Sequence, residues 1–203
     1  MSAIFRYTGD ELEGLKKKDR KLASEIDRIG MIERGVDRDL FSALIGSIVG
    51  QQISSKAAAT VNLRLREFCG EITPRSIHNT DIMDIQKCGM SMRKARYIKA
   101  SGEAVFSGAL DLTAFASMTD DEIIGRLCEL PGIGVWTAEM LLIFSLERRD
   151  VLSWGDLAIR RGICRLYGHR ELTKDRFTRY KKRYSPYGSI ASLYLWEISG
   201  EQI

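Results

Sequence analysis

The segment LPGIGVWTAEM, Leu130–Met140, constrains the fold of this chain more than any other stretch. Apolar residues at helical spacing precede it and follow it, so the segment must join two helices. Pro131, Gly132 and Gly134 interrupt the pattern, and glycine adopts backbone angles closed to other residues and lets the main chain approach a partner closely. The sequence therefore predicts two helices joined by a tight hairpin turn.

Helical periodicity also dominates the rest of the chain. In residues 40–49 the apolar side chains recur on one face, Asp37 or Asp39 can cap the helix, and Gly50 can end it. Later cap signals are Ser54 or Ser55, Gly70, and a capping box of Thr119 with Glu122. No stretch alternates apolar and polar residues long enough to predict a strand. We therefore expect an all-α protein of nine or ten helices.

Composition narrows the class of protein. The 203 residues, 44% hydrophobic and 29% charged, are typical of a globular chain with one large domain or two small subdomains. No run of about 18 apolar residues occurs, which predicts no membrane partner. The N-terminal 21 residues lack a signal-peptide pattern, which predicts an intracellular protein, in cytoplasm and nucleoid or in a nucleus.

The cysteines predict no iron–sulfur cluster and no other metal cluster. They are separated by gaps too wide for such a site, and the expected intracellular location argues against disulfides: Cys69, Cys88, Cys128 and Cys164. The chain has only two histidines, so a histidine-based catalytic triad is not expected either.

Charge is concentrated in one segment. The net charge is only +4, but residues 160–183 are densely basic and carry aromatic side chains among the cations. Such a segment fits contacts with nucleic-acid phosphates, and it fits a solvated helical surface equally well.

The hairpin has a chemical use beyond turning the chain. A helix that follows a tight glycine turn presents free amides at its N-terminus, and its dipole favours an anion there. The arrangement can therefore hold a DNA phosphate without reading base sequence. The alternative is a plain turn between two helices.

Asp156 is the candidate catalytic residue. It directly precedes an apolar-periodic helix, so its simplest role is that of an N-cap. A carboxylate held as an anion by a helix N-terminus also suits a reaction with a cationic sugar transition state. The two roles are compatible.

Together these motifs resemble the helix-hairpin-helix DNA glycosylases, the family that includes endonuclease III and 3-methyladenine DNA glycosylase II. The similarity is greatest to the 3-methyladenine branch and covers roughly residues 38–198. The motifs occur in the family's order: residues 41–58, 90–99 and 130–140, Asp156, and residues 184–196.

The resemblance implies roles for individual residues. Asp156 matches the family's essential aspartate, as a general base or an electrostatic stabiliser. Gln52 or Ile53 matches the wedge that fills the gap left by a flipped base. The remaining implied groups are the phosphate-binding hairpin of Gly132, Gly134, Val135 and Thr137, and the carbonyls of Cys128, Leu130 and Ile133 as ligands of a structural Na⁺ or K⁺. No cofactor is expected to be required.

Trp136 separates two mechanisms. Family members that also cut the DNA strand carry a lysine at this position, which forms a Schiff base with the sugar. A tryptophan is no such nucleophile, so the resemblance implies a monofunctional glycosylase that uses water. An indole face also attracts a cationic alkylated purine, by up to about 2 kcal/mol when desolvated. A plain core role is the alternative.

The rest of the base pocket departs from the family pattern. Met140 and Leu157 stand where the alkylation branch often has tyrosines, so the pocket is less aromatic or uses Trp154, Tyr187 or Trp196 instead. Because of this difference the sequence does not predict which lesions are removed, but it does not change the predicted class of reaction.

The complete prediction is an all-α glycosylase of two helical subdomains with an active-site cleft between them. Residues 38–146 would form one subdomain, and residues 1–37 with 147–203 would form the other. The chain would act as a monomer on damaged double-stranded DNA and release alkylated purines, leaving an abasic site. Two alternatives remain: an oxidised-purine (8-oxoguanine) glycosylase of the same fold, and a non-catalytic helix-hairpin-helix protein that binds DNA or recognises damage.

Overall fold

The computed structural model describes residues 3–200. Within this range the chain forms twelve α-helices and one short 3₁₀ helix, Thr113–Ser117. The α-helices are α1 (Gly9–Lys18), α2 (Arg20–Ile29), α3 (Leu40–Gly50), α4 (Ser55–Cys69), α5 (Pro74–Asn79), α6 (Ile82–Lys87), α7 (Met92–Phe106), α8 (Asp120–Cys128), α9 (Val135–Phe144), α10 (Leu157–Tyr167), α11 (Lys174–Tyr184) and α12 (Gly188–Ser199). The all-α prediction is confirmed.

The predicted number of helices, nine or ten, is too low for the described residues. Helix α5 has only six residues, which is too short for an apolar period to be read from the sequence. Strands were not predicted, yet β1 (Ala3–Ile4) pairs antiparallel with β2 (Gly35–Val36). Two residues cannot show alternation, so the sequence carries no signal for either strand.

For helices α3 and α4 the sequence offered two candidate N-cap residues each, and the structure shows which one caps the helix. The N–H of Ser42 donates to Asp39 Oδ1 at 3.0 Å, so Asp39 rather than Asp37 caps α3. Ser54, not Ser55, caps α4 in the same manner. Thr119 and Glu122 form the predicted capping box of α8.

The described residues divide into two compact units. The central unit is Asp37–Leu141, and the split unit contains the described residues up to Val36 together with those from Leu142 onward. The division falls inside α9, whereas the expected boundary lay after residue 146. Among residues 3–200, no helix combines the length and the apolar character that a membrane crossing requires.

The core of the central unit forms where α3, α4 and α7 pack together. Leu44, Leu65 and Ile98 contribute fully buried side chains from these three helices. Lys99 of α7 donates from Nζ to the carbonyl oxygens of Ile77 (3.4 Å) and Thr80 (3.0 Å), at the end of α5. A cation at a helix C-terminus stabilises its last carbonyls, so Lys99 joins the end of α5 to α7.

The core of the split unit depends on close contact between α10 and α12. A Cβ added at Gly162 would lie 2.2 Å from the carbonyl oxygen of Leu195, so only glycine allows this approach. Trp196 is completely buried and stacks on Phe144 with ring centroids 5.5 Å apart. The α10–α12 contact fixes α10, the helix that begins directly after Asp156.

Candidate active site

The predicted hairpin connects α8 to α9, and its geometry explains Gly132. This residue has a φ of +87°, and a Cβ added there would lie 2.2 Å from Cδ2 of Tyr97. Both the backbone angle and the neighbouring ring therefore require glycine. Gly134 differs, because its φ is not positive and the space around a Cβ would be open. Its small size instead leaves the main chain open to close approach.

Helix α9 presents its positive end at the hairpin. The N–H of Ala138 donates to the carbonyl of Gly134 at 3.0 Å, so the helical bonding pattern starts at Gly134. The first amides of a helix lack intrahelical acceptors, and Val135 and Trp136 are about half exposed there. Thr137 was predicted with the phosphate-binding group, but its side chain is buried.

The carbonyls predicted to hold a cation lie in the same turn. The N–H of Ile133 donates to the carbonyl of Leu130 at 3.2 Å, which uses one of the two lone pairs of that oxygen. Three neutral oxygens, from Cys128, Leu130 and Ile133, would be a hard, uncharged donor set that suits a weakly bound monovalent ion better than a transition metal. The cation site stays a prediction.

A cavity of about 330 Å³ opens beside the hairpin within the central unit. Its lining includes Gln52, Trp136 and Met140, three residues that sequence reasoning placed at the wedge and the base pocket. Thr137 also lines it, together with Ser47, Gly50 and Gln51. A volume of this size lies at the small end of ligand pockets. The first turn of α9 thus follows the hairpin and also lines this cavity.

The loop after α3 carries the predicted wedge residues, and we call residues 51–54 the wedge loop. Gln52 has a φ of +59°, which is unusual for a residue other than glycine and costs on the order of 1 kcal/mol. Gln52 and Ile53 are both exposed, and both line a second cavity of about 270 Å³. Of these two candidates, only Gln52 also lines the cavity beside the hairpin.

Two residues that sequence reasoning missed hold the wedge loop. Lys94 donates from Nζ to the carbonyl of Val49 at 2.8 Å and to that of Gln51 at 2.5 Å. The side-chain amide of Gln51 donates to the carbonyl of Gly132 at 2.8 Å. No local pattern marks such long-range contacts, since Gln51 and Gly132 are 81 residues apart.

Asp156 occupies the predicted N-cap of α10 in the split unit. The N–H of Ile159 donates to Asp156 Oδ1 at 2.9 Å, and the side chain is only 5% exposed. The cap role is confirmed by this geometry. The next residue, Leu157, is 48% exposed, so an apolar side chain stands at the start of this helix. The catalytic role of Asp156 stays a prediction.

The other aromatic candidates make packing contacts within the split unit. Trp154 packs edge-on against Phe177 at 5.2 Å, and the guanidinium of Arg160 lies 4.9 Å from the Trp154 ring centroid. Tyr187 covers Gly14, where an added Cβ would lie 2.5 Å from the tyrosine oxygen. These contacts account for both positions, and their place in a base pocket stays a prediction.

In residues 160–183, some side chains make hydrogen bonds within the protein, and others are cations exposed on the surface of α11. Arg183 donates to Asp19 at 2.7 Å, next to a bond of 2.5 Å from the Tyr167 hydroxyl to the same carboxylate. Burial raises the pKa of Tyr167, and these contacts tie α10 and α11 to the cap of α2. The remaining cations of α11 are exposed on its surface: Lys174, Arg176, Arg179, Lys181 and Lys182.

Comparison with known families decides the assignment. The family profile described as "HhH-GPD superfamily base excision DNA repair protein" matches residues 45–186, which is more than half of the chain. The chain belongs to the HhH-GPD superfamily. The matched range includes the hairpin, the wedge loop and Asp156.

Individual HhH-GPD relatives are similar over nearly the whole chain. A DNA-3-methyladenine glycosylase of Schizosaccharomyces pombe is 33% identical over 193 residues, covering 93% of this chain and 85% of the relative. The crystal structure of a DNA-3-methyladenine glycosidase from Bacillus halodurans has a TM-score of 0.88 at 34% identity and covers 98% of this chain and 93% of that one. An S. pombe 3-methyladenine DNA glycosylase in complex with abasic DNA has a TM-score of 0.78 at 31% identity, with coverages of 93% and 95%.

Proposed function

We propose that this chain is a monofunctional DNA glycosylase of base excision repair that removes alkylated purines of the 3-methyladenine type by hydrolysis. The observation that carries the proposal is the cavity lined by Trp136 at the first turn of the hairpin helix. A nucleobase bound in this cavity would lie next to the free amides at the N-terminus of α9, which suit a DNA phosphate. The names of the relatives support the same substrate class.

In this proposal Trp136 recognises the flipped base. Its indole is about half exposed and lines the cavity, so a large aromatic surface stands where the base would bind. Methylation at N3 or N7 makes a purine cationic, and an aromatic face attracts a cation. Flipping is least costly for a damaged, weakly paired base, so lesion instability and stacking act in the same direction.

Asp156 supplies the negative charge for the chemical step. The bond between C1′ and the base nitrogen breaks, and its electron pair leaves with the base, which neutralises a cationic purine. Water then forms the new bond to C1′. The carboxylate stabilises the oxocarbenium-like sugar and is also a base that can accept the proton of the water. Trp136 has no amine, so no Schiff base forms at that position.

The hairpin and the wedge loop would together bind the DNA. Amides of Gly132, Gly134 and Val135 would bind a phosphate, and a Na⁺ or K⁺ on the nearby carbonyls would add positive charge. We assign the wedge to Gln52, because it has a positive φ and lines both cavities. We further propose that the protein acts as a monomer on intracellular double-stranded DNA, independently of membranes and of any required cofactor.

Incubation with methylated duplex DNA, followed by chromatography of the released bases, tests the function. We expect 3-methyladenine among the products, and no covalent enzyme–DNA adduct after treatment with borohydride. Release of 8-oxoguanine without 3-methyladenine would favour the oxidised-purine alternative. A trapped adduct would contradict the monofunctional mechanism. Tight binding with no released base would favour the non-catalytic alternative.

Trp136→Leu should slow excision of cationic purines about 30-fold, which corresponds to an attraction of about 2 kcal/mol. Excision of a neutral alkylated purine should fall by less, because leucine still fills apolar space. Single-turnover rates on both lesions provide the measurement. Phe106→Leu is the matched control, since Phe106 is similarly exposed in the central unit and lies outside the cavity. Equal losses on both lesions would contradict cation recognition by Trp136.

Affinity for DNA should fall steeply with salt, because each phosphate contact releases bound counterions. Replacing Lys181 and Lys182 with glutamine should flatten the plot of log affinity against log salt by about 0.9 per lost contact. The control pair is Lys17→Gln with Lys18→Gln, exposed cations of α1. Fluorescence anisotropy at several salt concentrations measures both slopes. Identical slopes for the two pairs would identify Lys181 and Lys182 as solvated surface residues.

A further inference from the structure

The side chain of Gln51 joins the wedge loop to the hairpin turn. Its Nε2 donates to the carbonyl oxygen of Gly132 at 2.8 Å. The acceptor belongs to the turn proposed to grip a phosphate, and the donor directly precedes Gln52, the proposed wedge. Gln51 therefore connects two parts of the site that different helices supply.

Helix α7 supports both ends of this connection. Lys94 holds the carbonyls of Val49 and Gln51, while Tyr97, three residues later, lies against Gly132. Residues three apart share a helix face, so one face of α7 meets the wedge loop and the turn together. Lys94 is half-buried, and this burial lowers the pKa of its ammonium group.

We propose that Gln51 is a positioning residue that couples the hairpin's grip on the DNA backbone to the placement of the Gln52 wedge. The proposal rests on the proposed function. A positive φ at Gln52 persists only where neighbouring contacts hold it. Lys94 holds the main chain on one side of Gln51, and the bond to Gly132 holds its side chain. The side-chain bond is the contact that depends on where the hairpin lies.

The coupling has a defined physical consequence. When a phosphate fixes the hairpin, the carbonyl of Gly132 is fixed with it, and Gln51 then has one favoured orientation. Without the bond the wedge loop keeps its Lys94 anchor, so the fold and the hairpin amides remain. DNA binding should therefore survive while insertion of the wedge becomes less favourable.

Gln51→Met tests the proposal, because methionine keeps the length of the side chain and removes the donor. The expected result is a three- to tenfold lower single-turnover rate of base release, about what one hydrogen bond contributes. Affinity for undamaged duplex and the melting temperature should change little. Gln86→Met on α6 is the matched control, since it makes the same exchange away from both cavities.

A fluorescence measurement separates the coupling from the chemistry. In a duplex with 2-aminopurine opposite an abasic-site analogue, wedge insertion changes the fluorescence without any base release. We expect a smaller change with Gln51→Met than with wild type. In proteins that also carry Gln52→Ala, we expect Gln51→Met to have no further effect on the fluorescence. If the wild-type protein changes the fluorescence of this duplex but releases no base from methylated DNA, the proposed function is overturned and the coupling is not.

Other outcomes would overturn the coupling itself. One is a Gln51→Met protein with wild-type fluorescence and rate. Another is strict additivity of the effects of Gln51→Met and Gln52→Ala, because residues acting through one another are not additive. A third is a parallel loss of affinity, rate and melting temperature, which would identify Gln51 as a purely structural residue. Absence of any wild-type signal would contradict the wedge and the coupling together.

Discussion

Asp156→Asn should lower the rate of base release by about 10²–10³-fold, the usual effect of removing one electrostatic contact from a transition state. The reason is specific to charge. Asparagine is as good an N-cap as aspartate, so its side-chain oxygen can still accept the N–H of Ile159 and α10 can still begin at Leu157. The exchange removes the anion and leaves the cap.

The control for this prediction is Asp39→Asn. Asp39 caps α3 with the same geometry, accepting the N–H three residues later at 3.0 Å, and no catalytic role is proposed for it. Single-turnover rates, DNA affinity and melting temperature are measured for both variants. We expect both to bind DNA and to unfold like wild type, and only Asp156→Asn to lose excision. Equal excision rates in wild type and Asp156→Asn would contradict the catalytic assignment.

The fold could be predicted to the extent that local rules determine it. Helix α3 was predicted from its apolar period, and Asp39, one of two candidate caps, proved to be the cap, because both signals act within a few residues. The capping box of Thr119 and Glu122 was predicted for the same reason. Helix α5 was missed because its six residues show no apolar period, although Thr73 caps it and Pro74 stands in its first turn. Lys99 of α7 adds hydrogen bonds to the carbonyls at its end, which a local pattern does not show.

The candidate site shows the same division. The hairpin and the position of Trp136 follow from a continuous stretch of sequence, and the structure gathers Trp136, Met140 and Gln52 around one cavity. Gln51 and Lys94 were missed because their roles depend on partners that are far away in sequence. Glutamine and lysine are also common on helical surfaces, so neither residue type is informative without its contacts.

Gly132→Ala should reduce the free energy of unfolding by about 2–5 kcal/mol. Two effects add: a positive φ costs an alanine about 1–2 kcal/mol, and overpacking costs typically about 1–3 kcal/mol. The clash is with the Tyr97 ring, which lies between the turn and α7 and is not a freely moving chain end. Urea unfolding measures the loss. Gly134→Ala is the matched control, because its φ is not positive and no atom lies within 4 Å of its added Cβ.

A second background separates the two effects. In a Tyr97→Ala protein the ring is absent, so Gly132→Ala should cost only the backbone part, about 1–2 kcal/mol. The difference between the two backgrounds is then the steric contribution of Tyr97. If Gly132→Ala costs no more than Gly134→Ala in the wild-type background, the turn adjusts without strain and the Tyr97 contact does not set its shape. A larger loss of stability from Gly132→Ala in the wild-type background than in the Tyr97→Ala background would mean that Tyr97 of α7 determines the geometry of the hairpin in the absence of DNA.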